Sequence, residues 1–221
     1  MVSGLTRLPF EVLAKIFILS SNPQLPVTCR FTFHMLYHAP DDLKVAWLLY
    51  RHGHILTAAC EAALKFPFFS MSLLERFDRL YARQQQQPDA KILFTKKMVP
   101  PQLFSKMDAA SDALAFTLLE RGASPNKPHG YPLIKSAQLG RLDIVKQLIT
   151  FGADPTVRQN MALRVCAARD NREMVLYFLD HLQIKPDSES LRACVQKGLW
   201  DMVKLLVDHG AVPDMNTVNF T

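Results

Sequence analysis

Three stretches in the second half of the chain repeat one another: SAQLGRLDIVKQLITFGADP from Ser136, CAARDNREMVLYFLDHLQIKPD from Cys166 and CVQKGLWDMVKLLVDHGAVPD from Cys194. In each, a small or thin residue is expected to open a first short helix (Ala137, Ala167, Val195). An acidic residue opens a second helix (Asp143, Glu173, Asp201), and a valine follows two places later (Val145, Val175, Val203). An acid at a helix start offsets the positive end of the macrodipole. The spacing of Ile144, Val145, Leu148 and Ile149 puts an apolar stripe on one helix face. The glycines of RGASP, FGADP and HGAVPD fit the left-handed position that ends a helix, and Pro155 and Pro213 forbid its continuation. A unit of about 30 residues built as helix, turn, helix and loop cannot bury its own apolar face, so neighbours must stack. The repeat therefore predicts an all-α chain ending in a helical-repeat solenoid.

The 221 residues, 49% of them hydrophobic, suffice for one large or two small cores. Glu11, Lys15 and Arg30 interrupt the apolar N-terminus, which predicts neither a membrane span nor a signal peptide, with the mature chain starting near Met1. Cys29, Cys60, Cys166 and Cys194 are widely spaced and lie among apolar residues, as buried thiols in a reducing compartment do. Residues 1–106 hold 13 Lys/Arg against 7 Asp/Glu, whereas the remainder balances at 13 against 13. The excess is densest from Arg76 to Lys106. Such a run suits phosphates, with Phe94 and Phe104 as stacking residues, or acidic proteins; it is also an ordinary solvated surface. Nucleic acid is the weaker expectation because the array itself is neutral.

Pro9 and Glu11 signal a helix start, and Val12, Leu13, Ile16 and Phe17 recur at helical spacing. A second apolar stretch, LPVTCRFTFHMLY, follows from Leu25. Residues 1–40 have too little core to stand alone. Residues 41–106 read as a helical connector, either plain or made of degenerate repeats: Asp41 and Asp42 start a helix that Gly53 ends, and Gln84 to Pro88 mark a loop near 83–90. Residues 107–221 hold the repeats. Cys29, His34 and His38 invite a zinc reading, but structural zinc takes four ligands and no second cysteine is near, so no metal is expected. No nucleophile elbow, zincin, phosphate-loop or dinucleotide motif occurs, so neither intrinsic catalysis nor a cofactor is expected.

GYPLIKSAQLGRLDIVKQLITFGADP from Gly130 resembles the ankyrin repeat, with Gly130, Pro132, Leu133, Ala137, Gly140, Asp143, Val145, Leu148, Gly152, Ala153 and Asp154 in place. Tyr131 and Ile134 depart from the family's TPLH, and units shorter than the family's 33 residues imply truncated fingers. That resemblance implies a target-binding concave surface of inner helices and loop tips, where Tyr131, Lys135, Gln138, Arg158, Asn160, Arg164, Arg169, Arg192 and Lys197 would lie; Trp200 is either an exposed anchor or an inter-repeat filler. Arginine's enrichment among interface anchors favours Arg164, Arg169 and Arg192.

The N-terminus resembles an F-box on Leu8, Pro9, Glu11, Val12, Leu13, Ile16, Phe17, Cys29, Arg30 and Phe33, with 12 residues from Phe17 to Cys29, short of the family's spacing. This resemblance implies that Leu8, Pro9, Val12, Leu13, Ile16, Phe17, Leu25 and Cys29 dock on a Skp-type adaptor of a cullin ubiquitin ligase core. The chain would then be the ligase's substrate receptor, cytoplasmic or nuclear and monomeric outside the complex. The competing expectation is a plain ankyrin scaffold whose first helix is a cap. Adaptor docking requires Pro9, Val12, Leu13, Ile16 and Phe17 to be exposed, and capping requires them to pack against residues 41–66.

Overall fold

The computed structural model describes residues 7–215, so Val218 to Thr221, a possible cap or tail, lie outside it. The described residues are helical, with a single isolated bridge, Met98 to Ser124, in place of any strand. The chain divides into two compact units, 1–94 and 95–221. The segment 41–106, grouped together in the sequence, is thus shared between them.

Unit 1 is built around α3 (Asp41–Arg51), which packs on α1 (Phe10–Ser20), α4 (Leu56–Ala63) and α5 (Met71–Gln85). Between α1 and α3, a short turn α2 (Arg30–Thr32) runs into a π-turn at Phe33–Tyr37. The aspartates of α3 stand in its first turn as expected, and Gly53 (φ 61°) follows its end. The loop expected near 83–90 begins late, because α5 continues to Gln85 and stops on left-handed Gln86. Leu73, Leu74 and Phe77 of α5 bury a stripe in this core, where Trp47 is 1% exposed.

Unit 2 contains four helix pairs: α6 (Pro101–Ser105) with α7 (Ala109–Glu120), α8 (Tyr131–Gln138) with α9 (Leu142–Thr150), α10 (Val157–Ala167) with α11 (Arg172–Leu176), and α12 (Ser188–Val195) with α13 (Trp200–Asp208). The inner helices α6, α8, α10 and α12 stack in chain order. Leu133, Leu163 and Leu191 occupy one buried register, and Ser136, Cys166 and Cys194 another. The glycines that end the outer helices, Gly122, Gly152 and Gly210, are left-handed as the sequence predicts (φ 88°, 83° and 89°).

The third pair differs. Ten residues separate Glu173 from left-handed Gln183, where nine separate Asp143 from Gly152 and Asp201 from Gly210. The extra residue is absorbed as a π-turn, Tyr177–His181, which widens the helix by one residue without breaking it. Met174, Val175 and Phe178 therefore still face the core.

Candidate protein-binding surfaces

Helix α1 is apolar on two sides. Leu13 (0% exposed), Ala14 and Phe17 (3%) form the inward stripe, and Phe17 stacks on Trp47 with ring centroids 4.8 Å apart. The expectation that Leu13 and Phe17 belong to an exposed adaptor patch is therefore corrected: both fill the unit's own core, because α3 offers them an aromatic surface. On the other side Val12 (43% exposed), half-buried Ile16 and Leu19 (64%) follow one another at the spacing that shares a helix face, with exposed Pro9 and half-buried Leu8 at its N-terminal end. Val27 and Phe33 are also exposed in this unit.

Leu25 and Cys29 are half-buried. Cys29 precedes the short turn α2, and its backbone N–H donates to Thr32 Oγ1 at 3.2 Å. Hydrogen bonds from Thr32 hold its thiol pKa below the usual thiol value. His34 and His38 stand with ring centroids 5.8 Å apart beside it. Among the described residues no group of three or more His, Cys, Asp or Glu side chains is placed to hold a metal ion, and no helix is long and apolar enough to cross a membrane.

In unit 2 the ten candidate target-binding residues separate into four places. Tyr131, Lys135 and Gln138 lie on α8, Arg164 on α10 and Arg192 on α12, all half-buried on the inner helices. Tyr131 Oη meets Ser105 Oγ of α6 at 2.9 Å, and Lys135 Nζ donates to Gln138 Oε1 at 3.2 Å. Arg164 faces Asp187 at 3.6 Å and Glu189 at 3.8 Å, and Arg192 pairs with Glu189, so a row of arginines and carboxylates joins α10 to α12.

Arg158 and Asn160 lie instead in the non-helical first turn of α10, which continues the loop entering that helix. Arg158, Gln159 and Asn160 are all left-handed (φ 57°, 55° and 54°), which costs L-residues roughly 1–2 kcal/mol each. Asn160 Nδ2 donating to the Lys185 carbonyl at 3.1 Å, and Arg164 Nη2 donating to the Gln159 carbonyl at 3.4 Å, hold this turn. The sequence carries no glycine there to announce it. Arg169 and Lys197 lie in the turns between inner and outer helices, where Lys197 Nζ donates to the Ala168 carbonyl at 2.7 Å. Trp200 opens outer helix α13 and is 59% exposed, so it is not an inter-repeat filler. These three therefore do not join the inner-helix set.

Phe94 and Phe104, the stacking residues considered for nucleic acid, are 0% and 1% exposed and belong to cores. The basic run that contains them is divided between the units, and in unit 1 Arg76 pairs with Asp42. Burial pushes the Cys166 thiol up to about 12 and the Cys194 thiol up to about 11, so both behave as small apolar residues of the stack.

Residues 133–219 match the family described as ankyrin repeats (3 copies). No curated protein matches the chain. The match begins within α8 and runs through α13, so these stacked helix pairs are similar to ankyrin repeats, a type of module that binds other proteins.

Proposed function

We propose that the chain is a non-catalytic protein-binding module that holds a target protein on the inner helices and entering loops of unit 2. One observation carries this reading: the ankyrin match falls on stacked helix pairs whose inner row, Tyr131, Lys135, Gln138, Arg164 and Arg192, is polar, partly accessible and fixed by hydrogen bonds. Such a row is pre-organised, so it loses little side-chain freedom on binding. The test is affinity capture with the full chain and with a Lys135→Ala, Arg192→Ala variant shown by circular dichroism to be folded. Loss of the captured partners in the variant supports the reading, since a central interface arginine is worth about 2 kcal/mol or more. Equal capture by both chains overturns it.

A second reading is favoured by the outer stripe of α1. Val12 and Leu19 are exposed with half-buried Ile16 between them, whereas a surface helix needs only one apolar stripe. This supports docking on a Skp-type adaptor, which would make the chain a substrate receptor of a cullin ubiquitin ligase, cytoplasmic or nuclear and without a cofactor. The ligase would gain rate by proximity, not by a side chain of this protein. Binding of the purified adaptor to the intact chain, and its loss in a folded Val12→Asp, Leu19→Asp variant, supports this reading. No binding to the intact chain leaves an ankyrin scaffold.

A further inference from the structure

The loops entering the four helix pairs of unit 2 each carry an exposed basic residue: Lys96, Lys127, Arg158 and Lys185. Hydrogen bonds tie these loops into one edge. Lys96 N donates to the Gly122 carbonyl at 2.9 Å and Ser124 N to the Lys97 carbonyl at 2.8 Å. Asn126 Nδ2 then donates to the Gly152 carbonyl at 3.0 Å, Asp154 N donates back to Asn126 Oδ1 at 2.8 Å, and Asn160 Nδ2 reaches the Lys185 carbonyl.

The carboxylates nearby are already engaged. Asp154 accepts from Thr156 N and Oγ1, and Asp187 and Glu189 face Arg164 and Arg192. Among the described residues none of the four basic heads pairs with a carboxylate; Lys127 Nζ donates to the Lys96 carbonyl at 2.9 Å, which leaves its charge uncancelled. The outer helices have the opposite balance, where exposed Asp143, Glu173, Asp180, Asp201 and Asp208 outnumber Lys146, Arg172 and Lys204. The equal count of acids and bases from residue 107 onward therefore conceals a separation of charge by face.

We propose that this loop edge binds an extended acidic segment of the partner protein, whose carboxylates meet Lys96, Lys127, Arg158 and Lys185 in turn. The inference rests on the reading of unit 2 as a protein-binding array and names the chemistry of its partner. Packed helices lie about 8–10 Å apart and an extended chain advances about 3.3 Å per residue, so successive loops match an acid at roughly every third residue. Charge complementarity of this kind fixes register and speeds encounter. A nucleic-acid strand fits less well because, among the described residues, these loops carry no exposed Phe, Tyr or Trp on which bases could stack: Phe94 and Phe104 are buried, and exposed Trp200 stands on an outer helix.

The test is fluorescence anisotropy of the full chain with a labelled peptide repeating Glu-Gly-Ser, its Gln-Gly-Ser counterpart and a single-stranded oligopyrimidine. The glutamate peptide is expected to bind at low salt and the glutamine peptide not to bind. Substituting Lys96, Lys127, Arg158 and Lys185 together by Gln should weaken binding roughly tenfold or more. Substituting Lys65, Lys146, Arg172 and Lys204 by Gln removes the same charge elsewhere and should change binding by less than about twofold. Equal loss in both variants, or no binding to the intact chain, overturns the proposal, and tighter binding of the oligopyrimidine overturns its assignment to protein. If partner capture depends on Lys135 and Arg192 while the loop variant binds the peptide normally, only the acidic-segment inference falls. If capture ignores the inner face, the protein-binding reading falls by its own test.

Discussion

The cores of the two units are made differently. In unit 1 Phe17 stacks on Trp47, Trp47 meets Phe66 edge-on at 5.3 Å, and Phe66 stacks on Phe68 at 5.1 Å, an arrangement with no period along the chain. In unit 2 leucine sits above leucine and small residues above small residues, with the Cys166 thiol 3.8 Å from the Ala137 carbonyl of the preceding pair. An aperiodic aromatic core concentrates its stability in a few large side chains. A stack spreads it over many similar interfaces, so that each contributes modestly.

The largest expected effect is therefore in unit 1. Leu13→Asp or Phe17→Asp places a carboxylate where no partner exists and should cost about 4 kcal/mol or more, enough to unfold the unit. Val12→Asp, one residue away on the other side of α1, should cost less than about 0.5 kcal/mol. Urea unfolding followed by Trp47 fluorescence in a Trp200→Phe background measures both. Similar losses at Val12 and Leu13 would break the contrast between the two stripes.

An intermediate effect belongs to the loops of unit 2. Gly130 has φ 70°, and a Cβ there would lie 2.9 Å from Val157 Cγ1, a β-branched side chain with little freedom to move. Gly152 has φ 83° and nothing within 4 Å of the same position. Gly130→Ala should cost about 2 kcal/mol and Gly152→Ala about 1 kcal/mol, the difference being the steric part. Equal midpoints for the two variants would show that Val157 yields freely.

The smallest effect is a pH dependence confined to the stack. The folded pKa values of about 12 for Cys166 and about 11 for Cys194 lie above the ordinary thiol value of 9.0. Their contribution to stability is full below pH 9.0 and is lost as pH rises through the folded values, because the unfolded chain releases those protons first. Thermal midpoints of unit 2 should accordingly fall between about pH 9 and pH 11, and the fall should shrink in a Cys166→Ala, Cys194→Ala variant. An identical slope in both chains would assign the alkaline loss to other groups.

The repeat was legible because every copy meets the same neighbours. Asp143, Glu173 and Asp201 could be aligned, and the glycines after the outer helices predicted, from one stretch of chain. The stripe of α1 was legible only as apolar. Val12 and Leu13 are equally hydrophobic in sequence, and their burial differs because α3, some thirty residues away, covers one side. The left-handed turn at Arg158 to Asn160 gave no local sign, being held by Lys185 and Arg164 from outside it.

The sequence by itself determined what depends on residues near one another in the chain: helix starts, the glycine stops of the outer helices and the register of the stack. The tertiary structure decided what depends on distant partners. It turned Leu13 and Phe17 inward and left Val12 and Leu19 at the surface, with Ile16 half-buried between them. It also gathered four basic residues that lie 27 to 31 positions apart onto one edge, because helix pairs of nearly constant length return the chain to the same side of the stack.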